Sequence, residues 1–171
     1  MKTQSYLLIY NISKKPNIKC LIKNAVAFGI QTIFVAGQRK FNFNADEEKS
    51  DIPKPIRHLI QKGLLRIIQF EKLQEAIDHI HSLGIHVLGV EIDSSAIDVE
   101  DTEQCFNIGK EICFMMGNEG TGMNDKQMKL CDGFVKISQY GGGTASLNVS
   151  IAAAIVFQRY YAWSQQQMSY C

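Results

Sequence analysis

Two short segments combine glycines with polar side chains in a way suited to holding a small molecule. GNEGTGM, Gly117 to Met123, directly follows the apolar run EICFMM. Glycines at 117, 120 and 122 let the backbone approach a ligand closely or adopt positive φ, and ligands of parallel sheets bind just beyond the carboxyl ends of strands. QYGGGTA, Gln139 to Ala145, leads from FVKI into SLNVS, where Ser146 can cap a helix whose free N–H groups would receive ligand oxygens. Asn148 falls in the first turn of that otherwise apolar helix. Burying its amide without partners would cost about 1–3 kcal/mol, so it needs a hydrogen-bonding role. Neither segment is a GxGxxG dinucleotide fingerprint or a GxxxxGK[ST] phosphate loop, and spacing alone also fits a simple turn.

The elements that would carry these loops alternate between β-branched runs and helix-period stretches. Candidate strands are 5–10, 32–36, 66–70, 86–91, 111–116 and 134–137. Candidate helices span Asn17 to Phe28, Pro53 to Leu65, Glu71 to Leu83 and Asn124 to Cys131, with Gly29 and Gly84 as stops and Asn124 as a cap. The expected fold class is α/β, a mostly parallel six-stranded sheet with helices on both faces. Residues 38–51, centred on FNFNADEEKSD, read as a loop. The last helix, from Ser146 to about Trp163, is apolar on nearly every side and needs cover beyond a sheet, most simply a partner chain.

At 171 residues, 46% hydrophobic and 20% charged, the chain is expected to be one domain, 1–171, with no separate RNA-binding extension. Five cysteines without CxxC or metal-ligand spacing, no long apolar span and no signal-like start suggest a reduced, soluble, intracellular protein. The net charge of +1 conceals an asymmetry. Residues 1–66 hold nine Lys and three Arg against four acids, or +8, and the remainder holds five Lys and one Arg against 13 acids, or −7. A basic face that meets phosphates is therefore available, unless the charges intermix on folding.

GNEGTGM, followed by an Ile137-led loop into SLNVS, resembles the second and third motifs of the SpoU branch of the SPOUT methyltransferases, which methylate the ribose 2′-oxygen of tRNA or rRNA. NISKKPNIKCLIKNAVAFGIQTIFVAG, Asn11 to Gly37, resembles the first motif, and the order is preserved. The resemblance implies a C-terminal deep trefoil knot, pairing of two chains into a homodimer through the knot and last helix, and S-adenosyl-L-methionine bound by three loops without metal. It places the cofactor at Val90, Gly117, Asn118, Gly122, Ile137, Ser146 and Leu147. The catalytic positions it implies are Asn17, Lys23, Glu119, Ser146 and Asn148. RNA contact would fall on Lys14, Lys15, Lys19, Arg39 and Lys40, with Lys54, Arg57, Lys62 and Arg66 further on; such contacts position phosphates without reading sequence.

Four positions depart from the family pattern. Lys23 stands where an arginine is usual and Lys19 where a glycine is usual, while Ser138-Gln139 replaces Pro-Met. Lysine is a flexible point charge and not a planar donor fork, although desolvation beside Lys19 and a sulfonium could make it a base. The alternative is a catalytically silent RNA-binding dimer of the same fold.

Overall fold

The computed structural model describes residues 4–107, 111–141 and 146–169. Strands β1 (Gln4–Tyr10), β2 (Thr32–Ala36), β3 (Arg66–Phe70), β4 (His86–Val90), β5 (Ile97–Asp98), β6 (Glu111–Met116) and β7 (Gly133–Lys136) alternate with six helices. The helices are α1 (Lys15–Ala27), α2 (Lys54–Gln61), α3 (Leu73–Ser82), α4 (Thr102–Phe106), α5 (Asp125–Met128) and α6 (Val149–Ser169). All strand pairs are parallel, in the order β3-β2-β1-β6-β4-β7-β5. The sheet has seven strands and not six, because the polar stretch after Glu91 adds β5 at the edge. Two residues, Ile97 and Asp98, are too few to show a period.

Burial on both faces explains why β1, β2 and β6 read as unbroken apolar runs. Leu7, Ile9, Ile33, Val35, Ile112 and Phe114 pack with the helices α1, α2, α4 and α6. Leu8, Phe34, Cys113 and Met115, pointing the other way, pack with α3. The α1 stripe of Ile18, Leu21, Ile22 and Ala25 is buried as its spacing predicts, and Gly29 closes the helix with the Ile30 N–H on the Ala25 carbonyl at 2.9 Å. α2 stops earlier than expected. Gly63, at φ +70°, ends it by the same device before Leu65 is reached.

α6 begins at Val149, and its cap is Asn148 and not Ser146. The Asn148 side-chain oxygen accepts from the Ser150 N–H at 2.9 Å and its hydroxyl at 2.6 Å, and the Asn148 carbonyl starts the helical ladder. Asn148 itself is exposed, so the hydrogen-bonding demand met there is that of a helix end and not of a buried amide. Val156, Phe157, Tyr160 and Trp163 bury one side of α6 against Phe106 and Phe114. Ile151 and Tyr161 stay 53% and 46% exposed on the other. Residues 38–51 form a cross-linked turn segment in which Asp51 accepts from the Asn42 N–H and the Lys15 ammonium, both at 2.8 Å.

Candidate active site

β6 lies between β1 and β4, so the loop that follows it reaches two neighbours at once. On one side is the start of α1, which has no side-chain cap of its own. Glu119 fills that role from more than 100 residues away. Its carboxylate accepts from the Ser13 N–H (3.0 Å) and hydroxyl (2.9 Å), the Lys14 N–H (3.0 Å) and the Asn17 amide (3.0 Å). Burial alone would raise the carboxyl pKa, but the bonds from Asn17, Ser13 and Lys14 outweigh it and hold the group at about 2. An anion at the N-terminus of α1 also sits favourably in the helix dipole.

Asn17 links this anchor to α6. Its side-chain oxygen accepts from the Asn148 amide at 3.2 Å, and one helical stripe further on the Asn24 amide donates to the Ser150 carbonyl at 2.7 Å. Asn24, seven positions beyond Asn17, lies on the same face of α1 and was not among the residues expected to matter. Lys23 is turned away from that face: it is exposed and does not line the neighbouring cavity.

That cavity, about 390 Å³, opens where the loops after β4, β6 and β7 meet the start of α6. Val90, Gly117, Asn118, Gly122, Ile137, Ser146 and Leu147 all line it, together with Glu119. Gly142 to Ala145 of the third motif lie outside the described residues. The GNEGTGM turn closes through paired backbone bonds between Asn118 and Gly122, at 3.0 and 3.1 Å. The Asn118 side chain ties it to the Asn11 carbonyl at 2.7 Å. Glu91, which the sequence reading passed over, also lines the cavity and accepts from the Met123 N–H at 2.7 Å. A Cβ at Gly117 would stand 2.8 Å from that carboxylate, and one at Gly122, at φ +66°, closer still. The glycines are therefore required by a side chain as well as by the turn. The loop after β7 is held by Ser138, whose hydroxyl donates to Asp98 of β5. This bond, with the Glu100 N–H, lowers the Asp98 pKa. The short edge strand thus fixes the one motif position where the expected proline is missing.

Lys15, Arg39 and Lys40 surround a depression beside Ser13, next to the Glu119 anchor, whereas Lys19 does not line it. Acids intermix with this group: Lys15 pairs with Asp51 at 2.8 Å and Arg39 with Glu71 at 3.2 Å. Lys14 and Lys40 are exposed.

A parallel α/β sheet with a loop-built cavity at its carboxyl edge is an architecture in which small molecules bind where this cavity lies. The chain belongs to the SpoU rRNA Methylase family, whose model matches residues 4–158. It is 25% identical over 90% of its length to the 23S rRNA (guanosine-2′-O-)-methyltransferase RlmB of Coxiella burnetii, covering 57% of that protein. It is 23% identical over 91% of its length to the tRNA (guanosine(18)-2′-O)-methyltransferase of Escherichia coli, covering 61%. The chain thus spans about three-fifths of the curated relatives it matches. The SpoU methyltransferase AviRb of Streptomyces viridochromogenes, solved with the cofactor AdoMet, superposes with a TM-score of 0.68 at 22% identity. That match covers 98% of this chain and 59% of that one.

Proposed function

We propose that the protein is an S-adenosylmethionine-dependent RNA methyltransferase that transfers a methyl group to a ribose 2′-hydroxyl of tRNA or rRNA. The observation that carries this reading is the convergence of the second and third motifs on one cavity, with Asn17 of the first motif joined to Glu119 and Asn148 in a single hydrogen-bonded chain beside it. The cavity suits the cofactor. Its volume of about 390 Å³ falls within the range of about 300–1,000 Å³ typical of small-molecule sites. Backbone groups of the glycine turn are accessible there, and Ile137, Leu147 and Val149 offer apolar contact.

When bound, S-adenosylmethionine supplies a methyl group on a sulfonium. The work of the chain is to hold the acceptor hydroxyl in line, exclude water and help its proton leave. Glu119 is an organiser and not a base: with its pKa at about 2 and its oxygens engaged by four donors, it stays ionised near neutrality. Through Asn17 it holds the start of α1 against the start of α6, so that Ser146 and Leu147 border the cavity. Lys23 fills the motif position of the arginine that faces ribose in the family. Lys14, Lys15, Arg39 and Lys40 are the proposed phosphate contacts, with Lys19 nearer Lys23 on α1.

The same reading includes a trefoil knot in the C-terminal segment and a homodimer formed through α6, whose exposed Ile151 and Tyr161 offer apolar area. Purified protein with radiolabelled S-adenosylmethionine and total RNA should yield 2′-O-methylated nucleosides after nuclease digestion; loss of methylation in Lys23→Ala would place Lys23 in the mechanism, and undiminished methylation would remove it. Cofactor and RNA binding without methylation would overturn the catalytic reading. A second reading, a silent RNA-binding dimer, is favoured by one observation: Lys23 replaces the arginine and stands outside the cavity. RNA binding without cofactor binding or methylation would support it.

A further inference from the structure

Glu91 lies at the junction of the three loops. Its backbone N–H extends the ladder beyond β4 by donating to the Val135 carbonyl of β7 at 3.1 Å, which aims its side chain across the end of β6. One carboxylate oxygen accepts from the Met123 N–H at 2.7 Å and the other from the Ile92 N–H at 2.9 Å. Both are backbone donors. Among the described residues no lysine, arginine or histidine forms an ion pair with it. Lys136, which lines the same cavity, lies in the field of Asp93 and Asp98. A carboxylate facing a small-molecule cavity with no cationic partner is an electrostatic demand left for the ligand to meet. Gly117 and Gly122 leave room for that carboxylate, at the cost of tolerating no side chain.

Building on the cofactor reading above, we propose that Glu91 is the counter-charge for the cationic part of S-adenosylmethionine and, through Met123, the latch that holds the GNEGTGM turn over it. It is a positioning and binding residue. A carboxylate that stabilises the positive charge of the bound cofactor does so most before methyl transfer, since sulfur loses its charge as the methyl leaves. Such an interaction raises affinity without lowering the barrier. If the charge it meets is the sulfonium, it also favours the cofactor over its neutral-sulfur product.

The test compares binding of three probes by calorimetry: S-adenosylmethionine, S-adenosylhomocysteine, which lacks the sulfonium, and 5′-methylthioadenosine, which lacks both cationic groups. Glu91→Gln keeps an oxygen for the Met123 N–H, removes the charge and gives up the acceptor for the exposed Ile92 N–H, a loss common to all three probes. It should weaken S-adenosylmethionine by about tenfold or more, as expected for a charge-assisted contact, while 5′-methylthioadenosine changes little. An unchanged S-adenosylhomocysteine affinity assigns the contact to the sulfonium, and an equal loss assigns it to the amino group; both support the proposal. Equal loss for all three probes makes Glu91 a loop brace only and overturns it. Glu91→Asp keeps the charge with a shorter reach and should retain the preference for S-adenosylmethionine over 5′-methylthioadenosine even if the loop loosens. Thermal melting confirms that each variant is folded. Failure of the wild-type protein to bind S-adenosylmethionine overturns both this proposal and the cofactor reading, whereas wild-type binding with unaltered selectivity in Glu91→Gln overturns this proposal alone.

Discussion

Glu119 replaces a local helix cap with a long-range one, and its consequences can be measured. Its pKa is lowered from an ordinary 4.5 to about 2, so it contributes stability that is fully present above about pH 4.5 and is lost as the pH falls towards 2. Glu119→Gln should flatten that part of the acid denaturation profile, and at neutral pH it should lower stability by about 1–2 kcal/mol in urea titration. Gly122→Ala is the sharper change, because it imposes both a left-handed φ and a collision with Glu91. Cofactor binding should be lost while the far-ultraviolet circular dichroism spectrum is retained.

Among the elements, the edge strand β5 and helix α6 do different work. β5 contributes little core but presents Asp98 to Ser138, so Ser138→Ala should reduce cofactor affinity by about fivefold, the loss of roughly 1 kcal/mol, with the melting temperature nearly unchanged. Equal affinity in calorimetry would mean that the loop after β7 needs no such anchor. Phe157 of α6 is fully buried against Phe114, and Phe157→Ala should cost about 3–5 kcal/mol by chemical denaturation. Periodicity located α1 and α3 well because their buried stripes follow the helical repeat. It missed β5 and α4, which are too short to show a period. It also misplaced the α6 cap, since Ser146 and Asn148 are both capable residues and only backbone geometry chooses between them.

For the molecule as a whole, the +8 and −7 halves do not fold into separate fields. Glu71 of the acidic half pairs with Arg39 and Glu119 accepts from Ser13 and the Lys14 N–H, while Asp51 pairs with Lys15 inside the basic half. Among the described residues, Lys14 and Lys40 beside the candidate active site are exposed and form no ion pair. Lys40→Ala should weaken RNA binding across sequences and reduce the slope of log affinity against log salt by about 0.7–0.9, measured by fluorescence anisotropy. In sedimentation, Tyr161→Glu should shift a dimer towards monomer if the exposed side of α6 is the pairing surface.

What the sequence determined by itself was everything set by neighbours along the chain: the parallel α/β class, most strand bounds, the Gly29 and Gly84 stops and the Asn124 cap, while the family resemblance pointed to the loop residues that line the cavity. Only the tertiary structure decided which distant groups meet. Glu119 with Ser13 and Asn17, Glu91 with Met123, Asn24 with Ser150 and Ser138 with Asp98 are separated by 32 to 126 positions. Spacing rules reach only a few residues, whereas these contacts follow from β6 lying between β1 and β4, with β7 beyond β4. Sheet order is settled by how the whole core packs, and that order gives Glu119 its partners and leaves Glu91 with no cationic partner among the described residues.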